Sequence, residues 1–255
     1  MTLSLENFEV FLLILVRISG FMVTAPFFSL RNVPIKVKAG LAIFMAIILL
    51  YTTDYTQPAY EGIIGYSMIV VTEALAGAIM GFFANIAYYI ISFAGQLLDM
   101  QIGFSMANQL DPVTNSETTI TTNLYSYLVI IIMMITNLHL YFITAIIDSF
   151  NIINIGEVYI NPNLSQLMLQ FISEYFVIGF RIVLPIFAAI LVVDVVLGIL
   201  AKAAPQMNMF VIGMQVRILV GLVVLLLIIG LIPSVADMIF SKMITMLKSS
   251  IALLH

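Results

Sequence analysis

The stretch GIIGYSMIVVTEALAGAIMGFFANIAYYIISFAGQLL, residues 62–98, decides the fold class of this chain. Glu73 is its only charged residue. As one α-helix the stretch would be about 55 Å long, whereas the hydrocarbon core of a bilayer is about 30 Å thick. It therefore predicts a membrane helix that either bends back or continues beyond the bilayer inside a protein assembly.

The whole chain shares this apolar character. Hydrophobic residues make up 63% of its 255 residues and charged residues only 9%, and the mean hydropathy is +1.18. In an average soluble domain about a quarter of the residues are charged. The composition therefore predicts an all-α, polytopic integral membrane protein with about six long, partly kinked hydrophobic helices.

Composition also argues against several classes of function. The net charge of −4 offers no basic surface for a nucleic acid, so no nucleic-acid partner is expected. The chain has no Cys, and its two histidines, His139 and His255, are far apart, so we expect neither a metal nor another cofactor. The Ser, Asp and His residues form no GxSxG or HExxH set, so we assign no catalytic residue and expect no enzyme.

Six apolar stretches run along the chain. They cover approximately residues 8–30, 38–52, 62–98, 120–147, 166–201 and 210–232. Basic residues in short loops favour the cytoplasmic side of a membrane. The loop before residue 38 and the loop with Lys202 are therefore expected there, with both chain ends outside. After Pro233, polar residues recur near helical spacing, which predicts an amphipathic C-terminal helix.

Charged residues also lie inside these apolar stretches, among them Arg17, Glu73, Arg181, Asp194 and Arg217. Each costs a few kcal/mol at the middle of a bilayer unless it is paired or hydrated. They indicate either an ion or substrate pathway or pairs that fix helix register, and we favour the pairs. If the last two stretches turn at Gln206, Asp194 and Arg217 stand at the same depth, which predicts a structural ion pair.

Gly77 and Gly81 form a small-xxx-small face on the third stretch, which lets a neighbouring helix approach closely. Glu73 precedes Gly77 by one helical turn. We therefore expect Glu73 to be buried against that neighbour and the two glycines to act in helix packing.

A polar segment, QIGFSMANQLDPVTNSETT at residues 101–119, directly follows the longest apolar run. Polar, irregular backbone at membrane depth is tolerated only where protein buries it or water meets it. Gly103 loosens the chain, and Asp111-Pro112 favours a turn, with Asp111 a candidate cap for the next helix. These features are compatible with a re-entrant loop and equally with an ordinary cytoplasmic loop.

Two groups of residues in this chain resemble family signatures. The first is Gly95-Gln96, Gln101, Gly103, Ala107 and Asp111-Pro112, and the second is Ala204-Pro205-Gln206 with Phe210–Gly213. Together they resemble the FliR/SctT family of flagellar and type III secretion export-apparatus subunits, and the overall likeness favours the flagellar branch. One departure is Asn154-Ile155-Gly156, where that family would have Pro-Ile-Gly.

The resemblance implies a core subunit of a protein export gate in the bacterial inner (cytoplasmic) membrane, at the centre of the flagellar basal body. It implies a FliP-like helical unit over residues 1–165 and, over residues 166–255, a FliQ-like helical hairpin with a C-terminal amphipathic helix. The implied partners are FliP-type, FliQ-type and FlhB-type subunits in a hetero-oligomer, membrane lipid, and unfolded protein substrates.

The resemblance also assigns the polar segment, from Gly103 to about Asn115, to a loop that obstructs the pore. The candidate plug residues are Gly103, Phe104, Ser105, Met106, Ala107, Asn108, Gln109, Leu110, Asp111 and Pro112, with Phe104, Met106 and Leu110 as the apolar stopper. An apolar constriction that dewets blocks ions. The second signature lies in a loop that is expected on the cytoplasmic side and that contains Pro205, Gln206 and Met207.

The alternative function is that of a secondary transporter for a small solute. Such a protein would need broken helices in two matching halves and a polar site at the midplane of the membrane. The sequence has no clear internal repeat, and its strongest irregular segment lies between long helices.

Overall fold

The computed structural model describes residues 5–30, 33–53, 55–104, 119–206 and 208–255. Within these ranges every regular element is helical. The elements are α1 (Leu5–Thr24), α2 (Ile35–Thr52), α3 (Gly62–Ile102), α4 (Ile120–Ile135), α5 (Leu138–Ile152), α6 (Leu164–Ala203), α7 (Met209–Ile228), a 3₁₀ turn (Ile229–Leu231) and α8 (Ile232–Ala252).

The helices have the lengths and composition of membrane spans. In the described ranges five segments are long and apolar enough to cross a bilayer, and the bent pair α4–α5 makes up to six. This confirms the expectation of an all-α, polytopic membrane protein. The 41-residue helix α3 and the 40-residue helix α6 run without a break, so these two long stretches continue as helices instead of bending back.

The apolar stretch at 120–147 does not form one helix. It divides into α4 and α5, whose axes differ by 68°. Asn137, at the break, has φ +57 in the left-handed region, where Asn is tolerated better than most residues. The bend is therefore caused by the backbone conformation of Asn137, which the apolar composition of the stretch does not indicate.

The chain packs as two compact units. The first combines the described parts of residues 1–88, 134–172 and 240–255, and the second combines those of 89–133 and 173–239. Each unit is thus assembled from separate parts of the sequence. The predicted division at residue 165, into FliP-like and FliQ-like parts, stays a prediction.

In the first unit, α1 and α3 approach each other at two glycines of α3. A Cβ atom on Gly81 would lie 2.7 Å from the carbonyl oxygen of Phe21, and one on Gly77 would overlap the carbonyl of Arg17. Because both obstacles are backbone atoms, they cannot rotate away. The helix pair therefore has no room for a side chain at either position.

An ion pair between Arg17 of α1 and Glu73 of α3 lies inside this unit. Both side chains are 0% exposed. The Arg17 Nε donates to Glu73 Oε2 over 2.5 Å, and Nη2 donates to Oε1 over 3.0 Å. This two-pronged geometry is the strongest form of an arginine–carboxylate contact.

The end of α5 and the loop after it complete the environment of this pair. Arg17 Nη1 donates to the carbonyl of Ile153 over 3.1 Å, and the Gly156 amide donates to Glu73 Oε1 over 2.8 Å. The Phe150 ring lies 4.2 Å from the guanidinium carbon, a cation–π contact. The buried charges are therefore paired and hydrogen-bonded, as buried charges must be.

The same contacts fix the loop at Asn154-Ile155-Gly156, where the chain departs from the family signature. Arg17 Nη2 also donates to the Asn154 carbonyl over 3.4 Å. Gly156 has φ +86, and a Cβ atom there would lie 2.7 Å from Pro58 Cβ. Both the conformation and the space therefore require glycine at residue 156.

We predict that removing one member of the buried pair destabilises the protein strongly. Arg17→Met leaves Glu73 as an uncompensated buried carboxylate, which costs about 3–5 kcal/mol. The double variant Arg17→Met/Glu73→Leu should recover a substantial part of this loss, because neither charge then remains. Thermal unfolding of the purified protein, followed by circular dichroism, measures both effects.

The matched control is the pair Asp194–Arg217, whose side chains are 42% and 44% exposed. Asp194→Asn there should cost less than Arg17→Met, because the half-exposed Arg217 side chain can turn toward another polar group, whereas the buried Glu73 carboxylate cannot. Equal losses from Arg17→Met and Asp194→Asn would contradict the special role of the buried pair.

Candidate functional site at the Gly103 junction

Helix α3 ends where the predicted plug begins. The Gly103 amide donates to the Asp99 carbonyl over 3.0 Å, the last bond of the helix. Gly103 itself has φ +99, and none of the described residues beyond its chain neighbours has an atom within 4 Å of the position its Cβ would take. Backbone conformation is therefore the reason that this position favours glycine. Gly103 is the point at which the chain leaves the axis of α3.

Most of the predicted plug lies beyond this point. Gly103 and Phe104 are described, whereas Ser105–Pro112 lie outside the described residues. Met207 of the second signature also lies outside them. The plug assignment of these residues stays a prediction. The geometry of the site is therefore described from the end of α3 and the start of α4, which flank the predicted plug.

A buried carboxylate joins the two ends of the segment between α3 and α4. Asp99 is 0% exposed and lies one turn before Gly103. Its Oδ2 accepts the Thr121 amide hydrogen over 3.0 Å, and its Oδ1 accepts the Thr121 hydroxyl hydrogen. A carboxylate at a helix N-terminus satisfies a free amide and meets the positive end of the helix dipole. Asp99 therefore holds the start of α4 against the end of α3.

One turn further back along α3, Gly95 brings the same two helices into backbone contact. A Cβ atom on Gly95 would lie 2.6 Å from Thr122 Cα and 2.7 Å from Thr122 N. The Thr122 hydroxyl donates to the Ser92 carbonyl over 3.3 Å. Gly95, one of the signature residues, thus has a packing reason to be glycine.

The sequence did not reveal Asp99 as the residue that binds the start of α4. Asp111 was the candidate cap, and it lies outside the described residues. The available signal was a single carboxylate at the end of a long apolar helix, followed some twenty positions later by the Thr-rich start of another. Only the packing of α3 on α4 brings these two features together.

A cavity of about 400 Å³ opens beside Gly103. Its walls come from the end of α3 and from facing parts of α6 and α7, and they include Met100, Gly103, Gly198, Phe210, Asp194 and Arg217. The volume lies in the range of sites that hold small ligands or several side chains. The walls are mainly apolar, so the cavity suits apolar side chains better than ions.

The ion pair predicted between Asp194 and Arg217 is present in the wall of this cavity. The Arg217 Nε donates to Asp194 Oδ1 over 2.6 Å. The pair joins α6 to α7, which turn back on one another through Pro205 and Gln206. The structural role assigned to this pair stays a prediction.

The described residues contain no group of three or more His, Asp or Glu side chains placed to hold a metal ion. The site is thus built from a glycine junction, a buried carboxylate clamp, an apolar cavity and one ion pair. Such parts can position and cover a polypeptide segment within a helical membrane protein.

These features define a polytopic helical membrane protein in which a long helix ends at a conformationally required glycine beside a cavity. The family model described as "Bacterial export proteins, family 1" matches residues 8–243. The chain belongs to this family.

Similar proteins carry names from flagellar biosynthesis. The flagellar biosynthetic protein FliR of Bacillus subtilis (strain 168) is 31% identical, over 98% of this chain and 97% of that protein. FliR of Escherichia coli (strain K12) is 27% identical over 93% and 91%, and FliR of Borreliella burgdorferi is 30% identical over 88% and 83%. The resemblance inferred from the two signatures is therefore confirmed.

We predict that Gly95→Ala destabilises the protein by about 1–3 kcal/mol, because the added methyl group meets the backbone of Thr122. Gly40→Ala is the matched control, since no atom of the described residues lies within 4 Å of a Cβ at this position of α2. That change should be neutral or stabilising by about 0.5–1 kcal/mol. Calorimetric melting of the two variants tests the contrast, and a Gly95→Ala protein as stable as Gly40→Ala would refute it.

Proposed function

We propose that this chain is a core subunit of the flagellar type III protein export gate. It forms part of the protein-conducting channel and supplies a plug, in the bacterial inner membrane at the centre of the flagellar basal body. Membership of the bacterial export proteins and the likeness to FliR over nearly the whole chain support the export role. The observation that supports the plug is the end of α3 at Gly103, together with the contact of Asp99 with Thr121 at the start of α4.

The geometry around this junction suits a movable stopper. Both ends of the segment are fixed, one by Gly103 on α3 and the other by the contact of Thr121 with Asp99. A segment held at both ends can be displaced and return without losing its place. The plug residues Gly103–Pro112 would close the channel with the apolar side chains Phe104, Met106 and Leu110 and yield when an unfolded protein enters.

Closure of this kind is a physical necessity for such a channel. A pore wide enough for an unfolded polypeptide would pass ions freely if it stood open. Apolar side chains exclude ions by dewetting and form no strong bonds that would have to break at each opening. The apolar cavity beside Gly103 offers space into which the side chains of such a stopper could retreat.

The exposed surface supports a role in a larger assembly. Large apolar side chains are exposed along α6 and α7, among them Leu184, Leu191, Leu219, Leu226 and Leu227. An apolar surface of this extent requires lipid or other apolar helices. On this proposal FliP-type, FliQ-type and FlhB-type subunits cover part of it, and membrane lipid covers the rest.

Purification from native membranes tests the assembly. The tagged chain should elute with FliP-like and FliQ-like chains in a fixed ratio, which mass measurement of the intact complex reports. The FlhB-like subunit should join the same complex. Elution of the chain alone, together with solute uptake by the chain alone in liposomes, would instead identify a secondary transporter.

Deletion of residues 104–110 tests the plug. Cells carrying the deletion should leak small ions while the complex still assembles, because the apolar stopper is lost. A second variant, Phe104→Ser/Met106→Ser/Leu110→Ser, keeps the segment length and should leak as well. Membrane conductance and recovery of the complex are the two measurements. Normal conductance in an assembled deletion variant would reject the plug.

A further inference from the structure

Arg181 is a charged residue that the export function does not explain. It lies near the middle of α6 and is exposed. Among the described residues it makes no hydrogen bond and no ion pair. An unpaired guanidinium on an apolar helix costs a few kcal/mol in hydrocarbon. Arg181 therefore requires an acceptor beyond the described residues, or a position at the edge of the bilayer.

The sequence of α6 places Arg181 at such an edge. The twenty residues 182–201, between Arg181 and Lys202, form a helix about 30 Å long, the thickness of a bilayer core. The only charge among them is Asp194, which is paired with Arg217. By contrast, the part of α6 before Arg181 carries several polar residues, Ser165, Gln166, Gln170, Ser173 and Glu174.

The neighbouring helices indicate the same boundary. The 3₁₀ turn at Ile229–Leu231 ends the apolar helix α7, and the more polar helix α8 follows. Leu231 and Ile232 line the same cavity as Arg181. Two independent features, the charge pattern of α6 and the end of α7, therefore coincide at the level of Arg181.

The cavity at this level has a volume of about 100 Å³ and almost wholly apolar walls. Ile91, Val129, Ile182 and Leu231 contribute to it, with Arg181 and Tyr125 as its polar members. An apolar slot with one cation at its edge matches a molecule with an anionic head and a hydrocarbon chain. A free carboxylate or inorganic phosphate would leave the apolar walls without a partner.

Pro185 adds an acceptor beside the cation. Proline has no amide hydrogen, so the Arg181 carbonyl, four residues earlier, lacks its usual helical donor. Pro185 also lines the cavity. The position thus offers five guanidinium donors and one carbonyl acceptor within a single residue. A ligand that carries both an anion and a donor would satisfy both.

We propose that Arg181 and this cavity bind a membrane phospholipid whose headgroup carries a hydrogen-bond donor, namely phosphatidylethanolamine. The guanidinium binds the phosphodiester, the Arg181 carbonyl accepts from the ammonium group, and a short segment of an acyl chain occupies the cavity. Lipid phosphates lie at the depth that α6 assigns to Arg181, which favours a lipid over a carboxylate of a partner helix. The proposal needs only that the chain spans a membrane, so it stands apart from the export function.

Native mass spectrometry of the purified full chain, in whatever complex it elutes, tests the site. The protein is reconstituted in phosphatidylcholine nanodiscs containing phosphatidylethanolamine, and the lipids retained per chain are counted. Arg181→Gln should reduce retained phosphatidylethanolamine about tenfold, since a charge-assisted bond is lost. Arg181→Lys should retain an intermediate amount, because it keeps the charge without the fork of donors.

Two further variants sharpen the test. Lys202→Gln removes the cation at the other end of the same span and should leave the retained lipid unchanged. Pro185→Ala restores a donor for the Arg181 carbonyl, so it should abolish the preference for phosphatidylethanolamine over phosphatidylcholine while phosphate binding persists. Millimolar inorganic phosphate should not displace the lipid, because it cannot fill the apolar cavity.

Retention of phosphatidylethanolamine by Arg181→Gln at the level of the unmodified protein would overturn the proposal. So would unchanged lipid retention together with loss of a protein subunit, which would identify a partner carboxylate as the acceptor. Displacement by inorganic phosphate would reduce the site to an anion site and also overturn it. Each result is read from lipid counts, so it is independent of whether the chain proves to be an export subunit.

Discussion

The buried ion pair between Arg17 and Glu73 is the contact on which the first unit depends. In a chain with so few charges, at least three are fully buried, namely Arg17, Glu73 and Asp99, and the first two pair with each other. Such groups are tolerated only where every hydrogen-bonding site is used, and the loop after α5 supplies the remaining partners. This network joins α1, α3 and that loop in one arrangement in which both charges are paired and hydrogen-bonded.

Helix α3 makes close backbone contacts in each of the two units. Gly77 and Gly81 admit the backbone of α1, and Gly95, further along, admits the backbone of α4. Asp99 then fixes the start of α4 beside the last turn of α3. Because these positions are locked by backbone contacts, the change of direction at Gly103 occurs at a defined place. The last turns of α3, held against α4, thus position a segment that, for the proposed function, has to yield.

The ion pair Asp194–Arg217 and the ion pair Arg17–Glu73 differ in how far the sequence could predict them. The first joins two helices across one short turn, so counting residues from Gln206 was sufficient to align them. The second spans 56 positions and needs a third element, the loop at residues 153–156, to become favourable. Spacing along a chain reports depth within a hairpin, but it carries no information on which distant helices are neighbours.

The sequence by itself determined the all-helical membrane class, the family, the long apolar stretches that become α3 and α6, and the glycine at the start of the polar segment. These follow from local properties, namely apolar composition, helix rise and the conformational freedom of glycine. Only the tertiary structure decided the partners of Arg17 and Asp99, the bend at Asn137 and the cavities beside Gly103 and Arg181. Each of these depends on contacts between residues distant in sequence or on backbone geometry, which the residue pattern does not encode.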